Sequence, residues 1–185
     1  MSAAAQAVDR AQELAAVFAD PVAFRSWYDT AVVRVYGYLY GRCGGDMHLA
    51  EELTQQTFLQ AIRHWQGFDG RSDPVTWLCS IARNKLTDHY RELDRQERRQ
   101  LRLIVREIEM ADVEVDREVA DREAVLEALR GLPPLQRAAL ILRYVDGLSL
   151  REVAAALGRS EDATESLLRR AKERFREMYP EASDG

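Results

Sequence analysis

Arg169, Arg170 and Lys172 lie within one short stretch near the C-terminus, a few residues behind Ser160, Glu161 and Asp162. Guanidinium and ammonium groups gathered on one helix face are suited to holding phosphates, while small or polar side chains at the start of such a helix reach base edges. Asp162, Ala163 and Ser166 stand where that second role falls, and Ser149, Arg159 and Ser160 precede them. Catalytic chemistry has little to build on. His48, His64, His89, Cys43 and Cys79 are the only candidates for proton transfer, thiol chemistry or metal binding beyond the carboxylates. No H-x-x-x-H, C-x-x-C, glycine-rich phosphate loop or nucleophile elbow accompanies them. No catalytic residue, metal ligand or cofactor is expected, and the two cysteines read as buried or incidental thiols.

Positioning those cations requires two helices. Ser149-Leu150-Arg151-Glu152 has the form of a capping box, in which hydroxyl and carboxylate satisfy the amides at a helix start. Leu150, Val153, Ala154 and Leu157 then share one face, and Gly158 follows where a left-handed residue ends a helix. Ser160 caps a second helix with Thr164, Leu168, Ala171 and Phe175 on its buried stripe and Glu165, Ser166, Arg169, Arg170 and Lys172 outside. Helix, glycine turn and helix at this spacing describe a DNA-binding helix-turn-helix; the competing reading is any α-hairpin with a solvated basic face.

Apolar residues recur at three- and four-residue intervals along nearly the whole chain, with few alternating β-branched runs, so the fold class is all-α. Two small helical domains joined by a charged linker are expected. Residues 1–20 read as a flexible N-terminal extension, 21–92 as the first domain, 93–121 as the linker, 122–180 as the second domain and 181–185 as a tail. The first domain is punctuated at residues 41–45 and again at 67–74, the latter long enough to be a working loop. The linker scatters Leu101, Leu103, Ile104, Val105 and Ile108 among charges, as either a docking amphipathic helix or a solvated connector. In the second domain the chain breaks at residues 131–134, where Pro134 suits the first turn of the next helix.

The 185 residues carry a net charge of −5, which excludes a protein that coats nucleic acid nonspecifically. Residues 83–99 and 159–176 are nevertheless each net basic, flanking an acidic centre, so two DNA-facing modules are expected. The first twenty residues lack a secretory signal and no segment is apolar enough to span a bilayer, giving the expectation of a cytoplasmic protein without membrane insertion.

The text Gly131-Leu132-Pro133, Arg137, residues 144–149, Glu152-Val153-Ala154 and Leu157-Gly158 resembles region 4, the −35-binding domain of extracytoplasmic-function (ECF) sigma factors of the sigma-70 family. LuxR-type regulators share similar helix-turn-helix text. Residues 50–58, Ala-Glu-Glu-Leu-Thr-Gln-Gln-Thr-Phe, look like the family's segment for docking on the polymerase β′ clamp. Thr76-Trp77-Leu78, Ile81-Ala82-Arg83-Asn84, Asp88 and Arg91 are similar to its −10 reading helix.

The resemblance implies an alternative sigma factor that binds bacterial core RNA polymerase at the β′ clamp and β flap, reads promoter DNA and is controlled by an anti-sigma factor. It assigns polymerase binding to Glu51, Glu52, Thr54, Gln55, Gln56 and Phe58. The −10 element falls to Phe68, Arg71, Ser72, Trp77, Arg83, Asn84, Lys85, Asp88 and Arg91, with one base flipped into a pocket at the loop of residues 68–74. The −35 element falls to Ser149, Arg159, Ser160, Asp162, Ala163, Glu165, Ser166, Leu167, Arg169, Arg170 and Lys172. Glu165 and Leu167 depart from the family's usual Lys and Arg; an acid accepts from a cytosine amine and Leu167 would touch a thymine methyl, or −35 dependence is weak. The rivals are a free-standing regulator that binds duplex DNA without polymerase, an enzyme, and a purely structural helical protein.

Overall fold

The structure, a computed structural model, describes residues 3–100 and 117–179. Among them there are eight α-helices and no strand: α1 (Ala3–Ala19), α2 (Pro21–Arg42), α3 (Met47–His64), α4 (Pro74–Gln100), α5 (Arg117–Arg130), α6 (Pro134–Leu140), α7 (Leu150–Leu157) and α8 (Glu161–Met178). The all-α expectation holds. Two compact units divide at Leu86 and Thr87, inside α4, rather than at residue 92. Helix α4 and α5 also extend into the stretch expected to be linker. The linker's docking-helix or connector reading otherwise lies outside the described residues, as does the tail.

In the first unit the starts of α2, α3 and α4 are each fixed by an aspartate. Asp20 accepts from the Val22 amide, Asp46 from Leu49, and Asp73 from Val75 at 2.9 Å and Thr76 at 3.3 Å. Such caps satisfy amides that have no partner within their own helix. Ala31, Val35 and Leu39 of α2 supply the core together with Ala50, Leu53, Phe58 and Ala61 of α3 and Leu78, Ile81, Ala82 and Leu86 of α4. Thr54 and Thr57 enter this core because their hydroxyls donate back to Ala50 and Leu53 carbonyls at 2.6 and 2.7 Å.

The expectation of a flexible N-terminus is corrected. Helix α1 buries Leu14 at 2% exposure and stacks Phe18 on Trp65 with ring centres 5.4 Å apart. Phe18 also meets Phe24 and Trp27, so the segment is held by an aromatic cluster that its alanine-rich composition hides.

In the second unit α8 packs against α5, α6 and α7. Arg137 ties the α5–α6 turn by donating to the carbonyls of Arg130 and Leu132. Helix α6 does not run on as a regular helix. It widens into a π turn over Ile141–Val145, where the Asp146 amide reaches back to Ile141 at 2.9 Å, and Tyr144 and Val145 turn outward.

Helix α7 begins with the capping box read from the sequence. The Glu152 amide donates to the Ser149 hydroxyl and the Ser149 amide to the Glu152 carboxylate. It ends at Gly158, φ 64°, where the Arg159 amide donates to Ala154 and the Gly158 amide to Ala155, closing a Schellman turn. A Cβ at Gly158 would meet nothing nearer than Arg91 Nε at 3.9 Å, so any substitution is penalised by conformation rather than by crowding. Gly158→Ala is therefore expected to destabilise the second unit by about 1–2 kcal/mol, and Gly158→Asn by less, in urea unfolding followed by circular dichroism.

Candidate functional site

Two exposed helix faces, one in each unit, and the loop before α4 with the helix that follows carry the functional candidates. On α3, Glu51, Glu52 and Gln55 are exposed, and Gln56 is half-buried with its amide donating to Glu52 at 2.9 Å. Thr54 and Phe58, also expected to bind a partner here, are corrected: they are 5% and 4% exposed, Phe58 packs edge-on against Tyr28, and both build the core. The same face continues through Leu59 and Ile62, 54% and 46% exposed. Both lie just beyond residues 50–58, the segment that carries the resemblance. Their signal is present all the same: they fall off the Leu53, Thr57, Ala61 stripe that the helical period buries. Tyr36 on α2 lies near this face, its phenol held above the ordinary value by desolvation and then by the Glu51 carboxylate.

The loop before α4 is a compact turn. Phe68 is 6% exposed and its ring lies 5.3 Å from that of Trp77, so Phe68 is corrected from a base-contacting residue to the anchor of the loop. Trp77 holds α4 to that anchor. Asp69 accepts from the Arg71 amide and pairs with the exposed Arg71 guanidinium at 3.1 Å; Ser72 is half-buried. Along α4, Asn84 is exposed and Arg83 and Lys85 are half-buried.

Within the second unit, Arg91 pairs with exposed Asp88 and donates to the Ala155 carbonyl at 2.8 Å. Arg159 grips Asp94 with two hydrogen bonds of 3.1 Å, both side chains about one-fifth exposed. Two cations expected at promoter DNA, Arg91 and Arg159, thus have protein partners here.

Ser160 caps α8 by accepting from the Ala163 amide, and Glu161 and Asp162 occupy the first turn, where a carboxylate favours the helix dipole. Asp162, Glu165, Ser166, Arg169 and Arg170 are exposed and Ala163 partly so. Arg169 pairs with Glu173 at 3.2 Å, a surface bond that costs little to exchange for a phosphate. Lys172 turns elsewhere: its ammonium lies 4.9 Å from the Tyr144 ring, at the edge of an apolar groove of about 290 Å³ lined by Val125, Leu129, Ile141 and Phe175. Leu167 is corrected outright. At 4% exposure it belongs to the core with Leu168, and no thymine methyl can reach it.

Among the described residues no group of three or more His, Cys, Asp or Glu side chains could hold a metal ion, and no helix is long and apolar enough to cross a membrane.

Residues 23–96 match the Sigma-70 region 2 family and residues 122–175 match Sigma-70 region 4, in that order and over most of the chain. Among curated proteins the sequence is 37% identical over 169 residues to the ECF RNA polymerase sigma factor BldN of Streptomyces coelicolor, covering 86% of this chain and 61% of BldN. It is 32% identical over 153 residues to the ECF RNA polymerase sigma factor SigK of Mycobacterium ulcerans, covering 80% of this chain and 81% of SigK. The chain belongs to the ECF sigma factors of the sigma-70 family. Its fold is similar to that of the sigma factor RpoE solved in complex with the anti-sigma factor NepR from Bartonella quintana, with a TM-score of 0.51, 22% identity and coverage of 88% of this chain and 98% of that one. The chain spans under two-thirds of BldN's length.

Leu167→Ala should lower stability by about 2–5 kcal/mol, as a core truncation does, and its melting temperature should fall accordingly. Leu167→Met, which preserves the volume, should cost under about 1.5 kcal/mol.

Proposed function

We propose that this chain is an alternative sigma factor, which binds core RNA polymerase and directs it to promoters by reading −10 and −35 elements, with no catalytic step of its own. The observation that carries the reading is the pairing of regions 2 and 4 in one chain, each with its helix face free of core duty. Glu51, Glu52, Gln55 and the apolar pair Leu59 and Ile62 form the face for the polymerase β′ clamp. A mixed charged and apolar helix face suits a partner helix better than it suits water or DNA.

The α7–α8 pair acts as the helix-turn-helix. Arg169 and Arg170 hold phosphates, while Asp162, Ala163, Glu165 and Ser166 face base edges. The groove beside Tyr144 and Val145 is the seat for the β flap. The exposed loop residues Arg71 and Ser72, with Asn84 beyond them, meet the single-stranded −10 element, where flipping a base costs a few kcal/mol that only the right base recovers. Control by an anti-sigma factor and a cytoplasmic location belong to the same reading; RpoE, of similar fold, was solved with its anti-sigma factor.

The purified chain mixed with sigma-free core polymerase should elute from gel filtration as a one-to-one complex, and Glu52→Lys with Gln55→Lys should abolish that complex while leaving the melting temperature unchanged. No co-elution, with tight binding to duplex DNA by the chain alone, would replace this reading with a free-standing regulator. Arg169→Glu with Arg170→Glu should leave the complex intact, weaken promoter-duplex binding by the polymerase complex at least roughly tenfold and reduce the salt slope of log K by about two, as loss of two phosphate contacts requires.

A further inference from the structure

The loop of residues 68–73 is fixed at its ends by familiar means. The Phe68 amide donates to Trp65, the Phe68 ring packs on Trp77, and Asp73 caps α4. Its middle is fixed by α1. Arg10 Nη1 donates to the Gly70 carbonyl at 3.2 Å, and Gly70, at φ 70°, lies so close to α1 that a Cβ built on it would fall on the Ala7 carbonyl. Only glycine satisfies both the left-handed backbone and this approach. Helix α1 is itself held by Leu14 and by the stack of Phe18 on Trp65. The turn Trp65–Gly67 that carries this ring leads directly into the loop.

The contact does not cover the loop. Asp69, Arg71 and Asp73 remain exposed with α1 in place, while Gly70 is buried beneath it. A lid would bury the side chains that meet a ligand, whereas a brace supports the backbone from behind and leaves them outward. The latter is the arrangement here.

We propose that α1 braces the −10 loop and that Arg10 is a positioning residue for single-stranded promoter DNA, acting through the Gly70 carbonyl. The inference rests on the sigma-factor reading of this loop and extends it to a segment outside the matched region 2, which begins at residue 23. With the loop already in its binding form, less ordering is needed when the strand arrives. Arg10 itself touches no base.

The test uses the full chain bound to core polymerase and a labelled single strand carrying the −10 sequence of a promoter that this complex transcribes, read by fluorescence anisotropy. Arg10→Ala should weaken the single strand about three- to tenfold, the scale of one well-placed hydrogen bond. It should leave co-elution with core and the melting temperature unchanged, and Arg10→Lys, which can still donate to Gly70, should recover most of the loss. Equal binding by Arg10→Ala and the parent would overturn the brace. Tighter binding by Arg10→Ala would also overturn it and make α1 a lid. A parent complex that binds the strand no better than core alone would overturn the loop's −10 role, and the brace with it.

Discussion

A helix of 3.6 residues per turn has one stripe to bury and one to leave in water, and a domain built from four or five short helices uses every buried stripe for its own core. That constraint divides this molecule's residues between folding and function. On α3, Leu53, Thr57 and Ala61 hold the unit together, which leaves Glu52, Gln55, Leu59 and Ile62 as the face available to a partner. On α8, Thr164, Leu167, Leu168 and Ala171 are consumed by packing, which leaves Glu165, Ser166, Arg169 and Arg170. Buried threonines fit the rule because their hydroxyls return to the preceding turn of the same helix.

The same constraint explains which parts were legible in the sequence. Caps and turns are local chemistry, so Ser149 with Glu152, Ser160 and Gly158 could be placed from their neighbours alone, and the structure puts each where its residue type requires. Motif matching blurs the two faces of a helix, because text shared within a family contains both core and contact residues. Thr54, Phe58 and Leu167 enter the candidate sites that way, and the helical period returns them to the core. Leu59 and Ile62 show the converse, since an apolar residue off the buried stripe looks ordinary until the stripe is known.

What composition could not foretell is tertiary. Helix α1 reads as a fraying alanine-rich segment, and its order depends on Phe18 finding Trp65 forty-seven residues away, a pairing with no local signature. The π turn at Ile141–Val145 is similar: its residues continue the helical pattern, and only the widened hydrogen bonds turn Tyr144 and Val145 outward beside the apolar groove. In both places tertiary packing, rather than local sequence, sets the outcome. The pairing of Arg159 with Asp94 belongs to the same class, because two exposed-looking charges become partners only once the chain is folded.

On the proposed reading, these two faces together make polymerase start at particular places. Run-off transcription of fragmented genomic DNA of the source organism, by core polymerase with and without the chain, followed by mapping of RNA 5′ ends, tests it most directly. The expected result is a set of start sites absent with core alone and sharing two sequence elements upstream, at −10 and −35. Start sites no different from those of core alone, with a chain shown to be folded and bound to the polymerase, would contradict it.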